Sequence, residues 1–243
     1  MLHIGICDSN LKDCELLKCL CEEYSKKEKI NIKCISFTTG EEFFDFCREN
    51  NHRFDVLFLE IELKGMSWLE IKNRLETSNI VREIIFFTNK KEYMQYAFDM
   101  KVRGFEIKPA DSYKVERLLN MVVSDIQRDM IVKLERKQEL LFSRIYYFAS
   151  EGTYTRIFYY SDDENKYTSY LSSKPIKDWE IQLNGLPVMR VHKSYMVNLF
   201  HVNHVGEKIK IDSLNFEIPV GRAYKKEVNR KYMEFKAKND CIT

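Results

Sequence analysis

Short apolar runs alternate with amphipathic stretches through the first half of the chain. LHIGIC is followed by LKDCELLKCLCEEYSKK, with apolar residues at helical spacing, and then by INIKCISF and GEEFFDFCREN. The order continues through FDVLFLEI, a turn at Lys64-Gly65, the helical SWLEIKNRLET, the strand EIIFFT, the helical KEYMQYAFDM, the strand VRGFEI and a long helix beginning near Asp111. Five strand-helix repeats predict a doubly wound α/β domain over residues 1–125. Its parallel sheet is covered by helices on both faces, and its functional groups gather at the C-terminal ends of the strands.

From Asp111 to Leu141 the chain has neither Gly nor Pro, and its apolar residues keep a mostly helical spacing. This predicts that the last helix runs on into a helical linker over residues 126–141, its apolar face serving as core or as a dimer seam. After residue 141 the texture changes to short runs rich in Tyr, Phe, Ile and Val: RIYYFAS, TYTRIFYYS and KYTSYLS, then a helical KPIKDWEIQL. VMRVHKSYMVN, LFHVNHVG, EKIKIDS and LNFEIPVGR come next, and a basic helical stretch AYKKEVNRKYMEFK closes the pattern. Residues 142–238 are therefore predicted as a mostly antiparallel, mostly-β domain.

The length of 243 residues accommodates two such domains. No segment approaches the roughly 20 apolar residues of a membrane span, and MLHIGICDSN lacks the basic start and cleavage site of a secretory signal, so a cytoplasmic protein without membrane insertion is expected. Seven cysteines, six of them in the first 50 residues, are an odd count and no disulfide framework. Cys19 and Cys21 lack a second Cys/His cluster, so no metal is assigned to the cysteines. The charge is uneven: residues 141–243 carry 16 Lys and Arg against 12 Asp and Glu, net +4, and the remainder is −2. A basic second half modestly favours a nucleic-acid partner.

The predicted strand ends carry Asp8, Glu60, Thr88 and Lys108, the last followed by Pro109. Polar strand ends are ordinary one at a time. Two acids, a hydroxyl and an ammonium converging on one cleft are not. On these residues the first 125 positions resemble a response-regulator receiver domain, a flavodoxin-like (CheY-like) phosphate-accepting switch. In that family an aspartate ends the third strand and accepts phosphate, acids after the first strand hold Mg2+, and a Thr/Ser and a Lys grip the phosphoryl oxygens. Thr88, Lys108-Pro109 and Phe105, at the aromatic switch position, match the pattern; the family's Lys-Pro bond is commonly cis.

Two positions depart from it. The acceptor position is Glu60, and the acid pair is Asp8-Ser9, one carboxylate short. An extra methylene displaces the attacking oxygen by about a bond length, which in-line phosphoryl transfer tolerates poorly. Losing an acid weakens a Mg2+ site and leaves at most a weak one at Asp8 and Glu60. The resemblance thus implies a degenerate pocket (Asp8, Ser9, Glu60, Thr88, Phe105, Lys108) that is not phosphorylated in the ordinary way. Glu60 reaching Lys108 would either stand in for the phosphorylated state or simply hold the fold together.

In the second half, IYYFASEGTYTRIF, MRVHKSYMVNLFHV and IPVGRAYKKEV occur in that order. They resemble the LytTR family of DNA-binding domains, which is commonly fused behind a receiver; the middle word matches the family's R-x-H-R/K-S-Y-x-V-N pattern. The resemblance implies duplex DNA as partner, paired direct repeats, a homodimer and an upstream membrane sensor histidine kinase. By motif the DNA-contacting candidates are Tyr154, Thr155, Arg156, the segment after Asn198 including His201, and Arg222. Arg222 is the best candidate for reading guanine bidentately. Lys193, Lys225 and Lys226 are expected on phosphates. His192 and Asn198 serve either DNA or hydrogen bonding within the loop. Thr155 and His201 are equally open, and His201 stands where some relatives have a polar amide.

An α/β enzyme is disfavoured, since the chain has no nucleophile elbow, no Gly-rich phosphate loop and no Ser-His-Asp set at strand ends. The modest +4 keeps one alternative alive: a protein-interaction module that sequesters a partner regulator with little DNA binding of its own.

Overall fold

A computed structural model of the chain describes residues 1–96, 101–211 and 216–239, and the chain divides into two units, Met1–Val122 and Val123–Thr243. In the first, strands β1 (Leu2–Cys7), β2 (Ile32–Phe37), β3 (Phe54–Leu59), β4 (Val81–Thr88) and β5 (Val102–Ile107) pair in parallel in the order β2-β1-β3-β4-β5. The sequence direction reverses between β1 and β3, so the crevice of this fold opens at their C-terminal ends. Val56, Leu57, Phe58 and Leu59 are all buried, without alternation, because helices cover both faces.

Those helices are α1 (Leu11–Glu28), α2 (Gly40–Asn50), α3 (Trp68–Glu76) and α4 (Ser112–Arg128). Phe43 and Cys47 of α2 and Ile71 and Leu75 of α3 close one face over Leu57, Leu59, Ile84 and Phe86. On α1, Tyr24 Oη donates to Asn120 Oδ1 of α4 at 2.8 Å. Gly104 of β5 admits α4 closely, since a Cβ there would lie 2.7 Å from Leu118 Cδ2. Side-chain caps fix the helix starts: Asn10 for α1, Thr39 for α2, and a Ser67–Glu70 capping box for α3. Where KEYMQYAFDM predicts a fourth helix, Lys91–Tyr96 is a 3-10 turn, and the end of that prediction, residues 97–100, lies outside the described residues.

The predicted helical linker is corrected. α4 ends at Arg128, and residues 131–141 form a hairpin of β6 (Ile131–Lys133) and β7 (Glu139–Leu141), with Val132 opposite Leu140. Val132 and Leu134 are buried while Ile131 and Lys133 are exposed, a period of two that the helical reading overlooks. Arg136 and Lys137 turn the chain at φ 59° and 62°, conformations that mark a turn even without Gly.

The remaining strands are β8 (Ile145–Glu151), β9 (Tyr154–Ser161), β10 (Lys166–Ser172), β11 (Val188–His192), β12 (Tyr195–Asn198), β13 (Val202–Val205), β14 (Lys208–Ile211) and β15 (Glu217–Pro219). Between and after them come α5 (Ile176–Gln182) and α6 (Lys225–Asn239). β10-β9-β8-β12-β11 form one antiparallel sheet and β13-β14-β15 a second. One face of the larger sheet buries Phe148, Ile157 and Met196 against Trp179 and the β6–β7 hairpin. The other buries Tyr147, Met189 and Val197 against the smaller sheet and Val228 of α6. This is the mostly-β domain the sequence predicts.

Glu135, in the hairpin connection, accepts from Ser172 Oγ at 2.7 Å, Ser173 N at 3.0 Å and Ser173 Oγ at 3.1 Å, while Ser172 Oγ accepts from the buried Trp179 Nε1 at 3.0 Å. Burial opposes the carboxylate's charge, and the hydrogen bonds from Ser172 and Ser173 outweigh it, drawing its pKa down from 4.5 to about 2. A depressed folded pKa contributes stability that is present above pH 4.5 and lost as pH falls toward 2. Urea unfolding in a Trp68→Phe background, followed by Trp179 fluorescence, is expected to show that acid loss. Glu135→Gln should cost about 1–3 kcal/mol at pH 7 and flatten the loss.

Candidate functional site

β1, β3 and β5 end at the crevice with Asp8, Glu60 and Lys108, and the first turn of α1 adds Asp13. Lys108 Nζ lies 2.6 Å from Asp8 Oδ2, 2.6 Å from Glu60 Oε2 and 2.8 Å from Asp13 Oδ2. An ammonium has three donors, and here each meets a carboxylate. The Lys108 side chain is only 7% exposed. Burial alone would lower its pKa; hydrogen bonds donated to Asp13, Asp8 and Glu60 reverse this and hold it above the ordinary lysine range. Asp8 is raised, first by burial and also by the charge of Glu60, against the hydrogen bond from Lys108. The excess of acids over cations in the pocket is felt there.

Glu60 is fully engaged. Its Oε1 accepts from the backbone N–H of Ile61 at 2.6 Å and of Glu62 at 3.2 Å, while Oε2 faces Lys108. Asp8 Oδ1 accepts from Asn10 N at 2.9 Å, and Asn10 Nδ2 donates to Asp13 Oδ2 at 3.0 Å, so the helix cap also orients the acid that sequence reasoning missed. The available signal was its place at the third position of α1, a turn that faces the strand ends. Thr88 is buried with its Oγ1 accepting from Lys90 N at 3.2 Å, and its carbonyl accepts from Lys108 N at 3.0 Å. The Lys108-Pro109 bond is cis. Phe105 is half-buried, 6.4 Å from Phe86, outside the carboxylate cluster; Ser9 is half-buried beside Asp8. These residues do not fit Mg2+: the cationic position among the carboxylates is taken by Lys108 itself.

In the second unit, three turns meet at one end of the larger sheet. Ser150 N donates to Ser194 O at 2.8 Å, tying the β8–β9 hairpin to the β11–β12 turn, and Gly221 N donates to Val191 O at 2.9 Å, tying in the turn that leads to α6. A Cβ on Gly221 would lie 3.2 Å from His192 Cδ2. Tyr154, Arg156, His192, Lys193, Arg222, Lys225 and Lys226 are thereby brought together. Lys193, Arg222, Lys225 and Lys226 are exposed and in no ion pair among the described residues. Arg156 is paired with Glu151, a partner the sequence reading did not single out.

Other candidates have structural places. Thr155 is fully buried, facing the core because β9 alternates, and is corrected as a DNA contact. Asn198 is also fully buried; its Nδ2 donates to Phe142 O at 3.0 Å and Ile145 O at 2.8 Å, and its Oδ1 accepts from Phe200 N at 3.1 Å, so it too is corrected. His192 Nδ1 accepts from Ser194 N at 3.1 Å, shaping the Lys193 turn. His201 lies beyond the other end of β12, away from the three turns; its Nε2 donates to Ser143 O at 2.7 Å and its ring stacks on Tyr146 at 3.9 Å.

Residues 135–233 match the family model for the LytTr DNA-binding domain. The chain is 26% identical over 213 residues to the sensory transduction protein LytT of Oceanobacillus iheyensis, covering 82% of this chain and 81% of that protein. It is 22% identical over 203 residues to the transcriptional regulatory protein LytR of Staphylococcus aureus, covering 76% and 80%. A response regulator receiver protein from Burkholderia phymatum, 20% identical, aligns with a TM-score of 0.43 over 50% of this chain and 94% of its own. The chain thus has a receiver-like parallel α/β domain followed by a mostly-β domain that matches the LytTR model over residues 135–233.

Lys108→Met tests the pocket. It leaves three acids clustered without their cation, and breaking a buried pair this way costs about 3–5 kcal/mol. Protonation relieves the repulsion among the three acids, so the deficit should be largest at neutral pH and shrink as pH falls. Urea midpoints of the N-terminal unit, reported by Trp68 in a Trp179→Phe background from pH 4 to 7, check both.

Proposed function

We propose that this chain is a cytoplasmic transcription regulator that binds duplex DNA through its LytTR domain, and that its receiver unit does not accept phosphate on Glu60 in the ordinary way. The observation that carries the second part is the Lys108 cluster. In-line transfer needs a carboxylate oxygen free to attack and a cation to neutralise the phosphoryl group. Both Glu60 oxygens are hydrogen-bonded, and the ammonium that would meet the phosphoryl group is saturated by three acids. A pocket whose ammonium is already occupied by its own acids supports output that does not wait on phosphate from a sensor kinase.

DNA binding is supported by the convergence of the three turns. Arg222 is our candidate for bidentate reading of guanine in the major groove, with Lys193, Lys225 and Lys226 on the flanking phosphates. His201, grouped separately, is the candidate for a second contact along the duplex. A homodimer on paired direct repeats fits a unit that presents one cluster of cations per copy.

Binding of DNA from the gene's own upstream region by the full chain is measured without a phosphodonor. Arg222→Ala should lose about 1–3 kcal/mol and relax discrimination at one base position. Lys225→Ala should weaken binding on all sequences and flatten the log–log salt slope by about 0.9. Equal binding by all three proteins would overturn this interface. Intact mass after incubation with acetyl phosphate should be unchanged, and an added phosphoryl group mapped to Glu60 would overturn the receiver reading.

A further inference from the structure

The Arg156 guanidinium sits on the β8–β9 hairpin among the groups assigned above to DNA, yet its fork is occupied. Nε is 2.5 Å from Glu151 Oε1, Nη2 is 2.9 Å from Glu151 Oε2, and Nη1 is 3.3 Å from Ser169 Oγ. Two parallel N–H bonds to the two oxygens of one acid are the same pattern an arginine makes with a DNA phosphate. Glu151 therefore occupies the position a phosphate would take. The pair spans the hairpin turn, Glu151 opposite Tyr154 and Arg156 opposite Ala149, so the carboxylate faces the same surface as the arginine.

We propose that Glu151 is a specificity-determining residue, which withholds Arg156 from the phosphates of unmatched DNA and releases it only where the duplex offers Glu151 a base amino group. This rests on the reading of the three turns as the DNA interface. The pair is open to solvent, with side-chain exposures of 32% and 44%, so it is weakly held and can be exchanged. The new partner available to each group then decides the selectivity. A freed carboxylate against a polyanion is repelled unless it finds a donor. In the major groove the donors are the amino groups of cytosine and adenine, and cytosine N4 is an established partner of Glu. A sequence with such a group opposite the turn gains two contacts, Glu151 to base and Arg156 to phosphate. A sequence without one gains neither, because Arg156 stays on Glu151.

The test compares wild type, Glu151→Gln, Glu151→Ala and Arg156→Ala, with Glu151→Ala/Arg156→Ala as the double variant. Full-length proteins are titrated with upstream-region DNA and with an unrelated duplex of equal length at several salt concentrations. On the unrelated duplex, Glu151→Ala should bind more tightly and its log–log salt slope should steepen by about 0.9, the value of one added phosphate contact. On upstream DNA the slope should stay as in wild type, so the ratio of specific to non-specific affinity falls. With Arg156→Ala in place, removal of Glu151 should no longer change the slope. If the Glu151 variants tighten both duplexes equally, or act the same with and without Arg156, the residue is only a general repulsive charge and the inference falls. An unchanged ratio overturns it as well. If wild type binds neither duplex, the DNA reading itself fails, a result distinct from wild-type binding with an unaltered ratio.

Discussion

A buried ammonium must find an acceptor for each of its donors, and the crevice of the receiver-like unit is organised by that requirement. Stripping one ion of water costs several kcal/mol even after the protein relaxes, so Lys108 is tenable only where acids converge on it. The strand order supplies them. β1 and β3 are neighbours and deliver Asp8 and Glu60 side by side, and the Asn10 cap turns Asp13 of α1 inward. The glutamate that follows β3 is intelligible in these terms. Its extra methylene allows Oε1 to hold two backbone N–H groups beyond β3 while Oε2 reaches the ammonium. One residue thus pins a loop and neutralises a charge.

The second unit holds its turns by hydrogen bonds to backbone groups. Asn198 lies fully buried and ties the chain after β7 to the end of β12, and backbone bonds link the β8–β9, β11–β12 and β15–α6 turns. Arg190 adds to this by donating to the carbonyls of His192 and Lys193 from the same strand end. Such bonds place exposed cations on a rigid frame without giving those cations partners, the arrangement expected of a loop surface that must keep its charge available.

Most of this is legible in the sequence where a pattern has one physical reading. The strand ends Asp8, Glu60, Thr88 and Lys108 emerge from the alternating runs, and the three C-terminal words from their order. Residues 131–141 are misleading because Ile131, Leu134 and Leu141 satisfy a helical spacing as well as Val132 and Leu134 satisfy a strand, and the turn at Arg136-Lys137 uses left-handed conformations with no glycine to announce them. Asp13 is invisible for a different reason: an acid in the first turn of a helix is already explained by the helix dipole. Thr155 and Arg156 show the limit of motif reasoning. They are adjacent, and strand alternation alone sends one into the core and the other to the surface.

Two of the chain's carboxylate–cation arrangements have similar bond lengths and opposite consequence, and burial separates them. Around Lys108 the side chains of Asp8, Glu60 and Lys108 are each at most 8% exposed, so opening the cluster would leave charges without water. Around Arg156 both partners reach solvent, water replaces whatever contact is lost, and the pairing is screened by salt. The first arrangement acts as a fixed part of the fold. The second can exchange partners on contact with another anion at little cost. Distances of 2.5–2.9 Å appear in both, so the bond lengths carry no information about which pair is a switch. The surroundings of each pair carry it.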